Sequence, residues 1–209
     1  MFILKKMVRS FMTSHDTFIQ RVRIACAILA LCVLAETPSP AVASANWRID
    51  PSRTHIAFAI DAVGYPRTQG QFRQFQGRIS VDLDHPDKSS VAFHVQSQSV
   101  DVGSSPFDDY LRSVAFLDAA RFPSIDFVSS SVEKVDDHTV RVTGELTLLG
   151  VTRPLSVDVA VQREMSGGSA RLAFSAKTSI DRLAFGMNSG FPLVSREVDL
   201  VISSEAAEL

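Results

Sequence analysis

Apolar and polar residues alternate along most of this chain with a period of two, the spacing of strands that bury one face and wet the other. The run from Thr139 to Leu148 shows it best. Val140, Val142, Leu146 and Leu148 alternate with Thr139, Arg141, Thr143, Glu145 and Thr147, an order that helical spacing cannot produce. The same rhythm passes through Ile56, Phe58 and Ile60, through Ile79, Val81 and Leu83, through Val91, Phe93 and Val95, and through Ile125 and Phe127. It resumes with Leu155, Val157, Val159 and Val161, with Leu172 and Phe174, and with Val198, Leu200 and Ile202. Eight strands are predicted. The segments between them carry turn chemistry: Asp84-His85-Pro86-Asp87, Asp136-Asp137-His138, Gly150-Val151-Thr152-Arg153-Pro154 and Ser166-Gly167-Gly168-Ser169. Connections this short make neighbouring strands antiparallel.

One segment breaks the rhythm. Ser105-Pro106-Phe107-Asp108 offers a cap residue, a proline at the first helical position and an acid three residues after the cap, which together predict a helix start. Phe107, Tyr110, Leu111 and Val114 then share one face, with Phe116, Leu117 and Phe122 close behind. This is a short lid or plug, which either closes one end of the fold or also touches a ligand.

Eight antiparallel strands, each apolar on one face, form either a two-sheet sandwich or a closed barrel, and closure removes exposed edges. The predicted fold is therefore all-β, an eight-stranded antiparallel lipocalin-like barrel with a short helical lid segment. A barrel of that size is either filled by its own side chains or holds one small ligand, and strand spacing does not distinguish the two.

The first 45 residues read differently. A basic start with Lys5, Lys6, Arg9, Arg21 and Arg23 leads to an apolar run from Ile24 to Ala35, then to Ala43-Ser44-Ala45, an A-x-A cleavage signature. Residues 1–45 are thus expected to be a signal peptide and 46–209 the exported domain, with the periplasm as its location. The apolar run is too short to span a bilayer, so no stable membrane insertion of the mature chain is expected. Both cysteines, Cys26 and Cys32, lie in that run, which leaves the domain without thiol, disulfide or Cys-based metal site. Of the 21 Lys/Arg and 23 Asp/Glu, five and two fall in the first 45 residues, leaving 16 against 21 and a net charge near −5. Nucleic acid is not expected as a partner.

Catalytic chemistry finds little to stand on. His55, His85, His94 and His138 show no local metal-pair spacing, and the chain has no nucleophile elbow, phosphate loop or dinucleotide fingerprint. No catalytic residue, no metal and no cofactor other than a bound lipid is expected. The adjacent Asp108 and Asp109 fit a helix first turn better than acid–base work. Arg112 and Arg121 flank the lid and stand as solvated arginines or as partners for a phosphate or quinone oxygen.

From Trp47 to Ala207 the chain resembles the YceI-like family of lipid- or polyisoprenoid-binding proteins. The matching pieces are Trp47-Arg48-Ile49-Asp50-Pro51; Gly70-Gln71-Phe72 with Phe75 and Gly77; Leu111-Arg112-Ser113 with Phe116, Asp118 and Phe122-Pro123; Val142 to Thr147; Gly150 to Pro154; and Phe185-Gly186-Met187. The resemblance implies a periplasmic barrel that encloses an isoprenoid chain, such as a quinone or polyprenyl compound, without catalysis. Four polar family positions are altered, with Arg53-Thr54, Phe107-Asp108, Tyr110 and Leu149 in their place, which implies a different or less polar head group. Arg53, Arg112 and Arg121 are then the candidates for meeting an anionic head.

The expected ligand wall comprises Phe58, Phe93, Phe127, Leu146, Leu148, Val157, Val159, Phe174 and Leu200, with Phe107, Tyr110, Leu111 and Phe116 near one mouth. The expected function is carriage or storage of a long-chain isoprenoid lipid. The alternative is a filled barrel that acts through its surface as an interaction or stress-response module.

Overall fold

The computed structural model describes residues 45–82, 84–166 and 169–208. The expected signal peptide, both cysteines and Leu83 lie outside the described residues, apart from Ala45 at the boundary.

All eight alternating runs form strands, and three further strands bring the number among the described residues to eleven. They are β1 (Ala45–Ile49), β2 (His55–Ile60), β3 (Thr68–Phe72), β4 (Phe75–Val81), β5 (Ser90–Gln96), β6 (Val100–Asp101), β7 (Ser124–Lys134), β8 (Thr139–Leu148), β9 (Val151–Ser166), β10 (Ser169–Asp181) and β11 (Glu197–Glu208). The additions β1, β3 and β6 are short, and β3 reads Thr-Gln-Gly-Gln-Phe, too polar to alternate visibly.

The expected regular eight-stranded barrel is corrected to a curled antiparallel sheet, ordered β1-β4-β5-β7-β8-β9-β10-β11-β2-β3-β6, that only approximates one. Two breaks explain the difference. Pro51 has no N–H to give a ladder, and Asp50 accepts from the Ser52 amide at 2.9 Å, so the chain turns through a short 3₁₀ segment between β1 and β2. Arg73-Gln74, which belongs to neither strand, separates β3 from β4. The 12-residue β11 spans the first break, pairing β2 through Asp199–Ser203 and β1 through Ala206–Glu208. Because β1 also pairs β4, the sheet curls back on itself.

The β8–β9 connection is tighter than expected. Leu149 (φ 52°) and Gly150 (φ 72°) form the whole turn, so Val151–Pro154 belong to β9, with Pro154 opposite Glu145. Positive φ at both central residues suits the twist of a two-residue hairpin.

The expected helix is present as α1 (Ser105–Arg112), capped by Ser104 and not by Ser105, with no side-chain bond at the cap. Asp108 is not a cap either. It is buried and accepts from the Val102 amide at 2.7 Å, docking α1 beside β6. Asp109 instead pairs with Arg112 at 3.0 Å.

Candidate functional site

Inside the curl lies an apolar tube of about 580 Å³. Most inward rows of the sheet feed it: Ile56, Phe58 and Ile60 from β2, Val91, Phe93 and Val95 from β5, Val157, Val159 and Val161 from β9, and Val198, Leu200 and Ile202 from β11. Of the thirteen ligand residues expected from the sequence, eleven line this tube: Phe58, Phe93, Leu111, Phe116, Phe127, Leu146, Leu148, Val157, Val159, Phe174 and Leu200. Their burial shows that the tube is hollow. Phe58, Phe93, Phe127, Val157, Val159, Phe174 and Leu200 are only half-buried although they point inward, because open space stands where a filled barrel would have neighbours.

Phe107 and Tyr110 do not line the tube. They lie on the outer side of α1, 39% and 48% exposed, and Val114 is 84% exposed. Helical spacing placed them on one face with Leu111, but that face straddles the lid surface. Phe107 stacks on Tyr110 with ring centroids 6.2 Å apart, and Tyr110 meets Phe116 edge-on at 5.1 Å, so a row of rings runs from surface to lumen. Leu111, Phe116 and Leu117 are buried with Val100, Phe185 and Met187 in one cluster that plugs this end. The mouth expected beside the lid is therefore shut.

The opposite end is polar. Strand β7 starts beside the plug, at Ser124, and its 11 residues carry the chain roughly 35 Å along the wall to Lys134. There Lys134, Asp136, Asp137, His138 and Arg163 line the tube and are exposed. The Asp82 carboxylate joins them, buried, accepting from the amides of His85 at 2.8 Å and Asp84 at 3.1 Å. The His85 amide bond does most to hold the Asp82 carboxyl below its ordinary value. Lys134 pairs with Asp137 at 2.7 Å.

The three arginines expected to meet an anionic head all lie away from the lumen. Arg53 pairs with Glu205 at 2.7 Å, half-exposed. Arg112 donates to the carbonyls of Gln98 at 2.9 Å and Val100 at 2.8 Å, tying α1 to the strand before it. Arg121 lies over the Phe122 ring, 4.9 Å from its centre. Sequence reasoning missed Arg182, which lines the tube at the plugged end and is wholly buried. The continuing alternation Ala176, Thr178, Ile180, Arg182 was the available signal.

Among the described residues no three His, Cys, Asp or Glu side chains gather in a metal-like group. His94 bonds Asp126 at 2.6 Å on the outside of the sheet. No helix among the described residues is long and apolar enough to cross a membrane.

Comparison with known proteins follows the same outline. The model of the YceI-like domain matches residues 47–206. Protein YceI of Salmonella arizonae is 34% identical over 182 residues, covering 85% of this chain and 94% of that protein. Among solved structures, Burkholderia cenocepacia BcnA superposes with a TM-score of 0.70 at 23% identity, covering 75% of this chain and 98% of that one. A polyisoprenoid binding domain from Saccharophagus degradans, implicated in plant cell wall breakdown, gives a TM-score of 0.65 at 14% identity, covering 79% of this chain and 99% of that one.

Proposed function

The chain belongs to the YceI-like family, and from that premise we propose that its tube carries or stores a long-chain isoprenoid lipid, such as a quinone or polyprenyl compound. The observation that carries the reading is the hollow tube itself, about 580 Å³ with an almost wholly apolar middle. Small-molecule sites run from roughly 300 to 1,000 Å³. At about 10–30 Å³ for each water-sized group, the tube has room for on the order of 20–50 heavy atoms. A chain of about 40 carbons falls inside that range, and at roughly 0.3 kcal/mol per heavy atom its burial reaches about 12 kcal/mol, a nanomolar affinity.

The role is binding and not catalysis. At the open rim Lys134 pairs with Asp137, and the Asp82 and Asp136 carboxylates accept from backbone amides of their own turns. The domain works in the periplasm after loss of residues 1–45, a setting supported by the Ala43-Ser44-Ala45 signature. N-terminal sequencing of the exported protein then begins within a few residues of Asn46, and a membrane-bound full-length product refutes this part.

Native mass spectrometry of the purified protein, followed by organic extraction, tests the main reading. A co-purifying isoprenoid, released as the fold melts, is the expected result. A stable fold that neither retains such a lipid nor takes one up from detergent refutes it.

A further inference from the structure

Seven of the ten large hydrophobic side chains that stand exposed among the described residues lie around the shut end of the tube. Four come from two loops. Val63 and Tyr65, the latter 77% exposed, follow β2, while Phe191 and Leu193, the latter 64% exposed, precede β11. The Val63 amide donates to the Leu193 carbonyl at 2.8 Å and Ala62 bridges to Val194, so the two loops are joined. Phe107, Tyr110 and Val114 add the outer side of the lid. The other three stand apart, Val128 and Val201 on the outer wall and Val135 beside the rim.

The second loop is a fixed platform. The buried Arg182 guanidinium donates to the carbonyls of Ser195 at 2.6 Å, Val194 at 2.9 Å and Met187, a clamp that grips the chain on both sides of Phe191 and Leu193. Apolar side chains held in water in this way cost free energy until something covers them.

The surrounding chemistry favours a bilayer over a protein. Gly186 to Ser195 contains no charged residue. Asp61 and Arg67 of the first loop pair at 2.8 Å, and Asp109 and Arg112 of the lid at 3.0 Å. A protein partner is met by a rim of polar contacts, whereas the headgroup boundary of a membrane takes apolar tips and the two-ended tyrosine side chain. The patch also continues inward, because Phe107, Tyr110 and Phe116 form the row of rings that ends at the lumen.

We propose that the shut end docks on a membrane surface and that its lid is the gate through which a lipid passes between bilayer and tube. The gate rests on the lipid reading above, and the docking surface does not. A long isoprenoid dissolves in bilayers and not in water, and a route past Phe116 keeps its tail covered throughout. Acidic residues are in excess in the domain, so docking depends on the apolar tips and not on attraction to anionic headgroups.

The test reads insertion directly. Trp47 is the chain's single tryptophan and is buried, so the indole introduced by Tyr65→Trp or Leu193→Trp reports on its own surroundings. With phosphatidylcholine vesicles its emission should move to the blue and be quenched by bromine on the acyl chains, equally at low and high salt. Val128→Trp on the outer wall should show neither. In the double variant Tyr65→Ser, Leu193→Ser, vesicle binding should fall about 10- to 100-fold, the order for large apolar side chains taken out of water. Transfer of a fluorescent isoprenoid between vesicles should slow with it, while lipid already held stays, because neither residue lines the tube. Unchanged transfer overturns the gate. No shift at either loop position, or an equal shift at Val128, overturns the docking surface; a protein that still retains its lipid then keeps the tube reading and leaves the patch to a protein partner. Docking by a protein that takes up no lipid supports the surface and overturns the tube reading instead.

Discussion

A charge placed in the wall should cost more the further it stands from the polar rim. Leu146 and Val157 both line the tube, but the register separates their depths. Val157 lies opposite Val142, two residues from the rim-side pair of Val140 and Val159. That is about 7 Å, a distance an arginine covers by extending its head toward water. Leu146 lies six residues from Val140, about 20 Å along the strand, beyond any side chain's reach. Truncating buried Leu146 to alanine should cost about 2–5 kcal/mol, and Leu146→Arg should add several kcal/mol for a cation held away from water. At Val157 the arginine should add much less over alanine, because its charge reaches the rim. Asp158→Asn, on the outer face, should cost little, since its pair with Arg141 is half-exposed on both sides. Urea unfolding of the five variants, with native mass spectrometry of retained lipid, gives the comparison. Equal arginine-over-alanine penalties at the two depths, or a greater loss at Asp158 than at Leu146, would refute the orientation of the tube.

Leu172 is fully buried between Trp47 and Ala206, so Leu172→Ala should lower stability by about 2–5 kcal/mol in urea unfolding, and a loss under about 1 kcal/mol would show that this cluster does not hold β1 to β11. Asp82 has its folded pKa held below the unfolded value, so its contribution is present above the ordinary carboxylate range and is lost as pH falls through the folded pKa. Asp82→Asn should flatten the acid limb of the stability profile, and a profile identical to wild type would show that its two amide bonds do not matter. Phe116→Ala opens the plug between Tyr110 and the lumen, so lipid exchange measured with a fluorescent isoprenoid should quicken, and an unchanged rate would place the exchange route elsewhere.

Most of the sheet was legible because its strands keep one face in water, so β8 records its own fold as Val140, Val142, Leu146, Leu148. What stayed hidden was short or polar. Strand β3 shows no alternation, and the β8–β9 turn sits at Leu149, a residue that rarely takes positive φ, so the proline at 154 drew the expected turn too far along. In the site, period two identifies inward residues but says nothing of which end is shut. Phe107 and Tyr110 share helical spacing with Leu111, yet the helix rests on the plug by its Leu111 side. Arg182 was passed over because an arginine on an apolar row reads as a strand end, and only the three carbonyls folded around it make its burial feasible.

Period two also fails to say whether the barrel is filled, and here glycines opposite phenylalanines decide the matter. Phe58 pairs across the sheet with Gly70, and Phe93 with Gly77. A Cβ on Gly70 would stand 2.5 Å from Phe58 Cζ, so the ring lies against the bare backbone of its neighbour. Rings laid along the wall leave the lumen open, whereas rings standing upright would fill it. Gly70→Ala must move the Phe58 ring by about 1 Å to restore ordinary carbon contact, and the sheet backbone leaves it little direction but inward. The expected cost is about 1–3 kcal/mol of stability, with a smaller lipid retained. Phe58→Leu in the same chain removes the clashing ring edge but leaves Val102 Cγ1 2.6 Å from the new Cβ, so the double variant should recover part of that loss. Unfolding of the four members of this cycle measures the coupling. If Gly70→Ala costs as much with leucine at position 58 as with phenylalanine, the ring does not rest on that glycine and the open lumen has another cause.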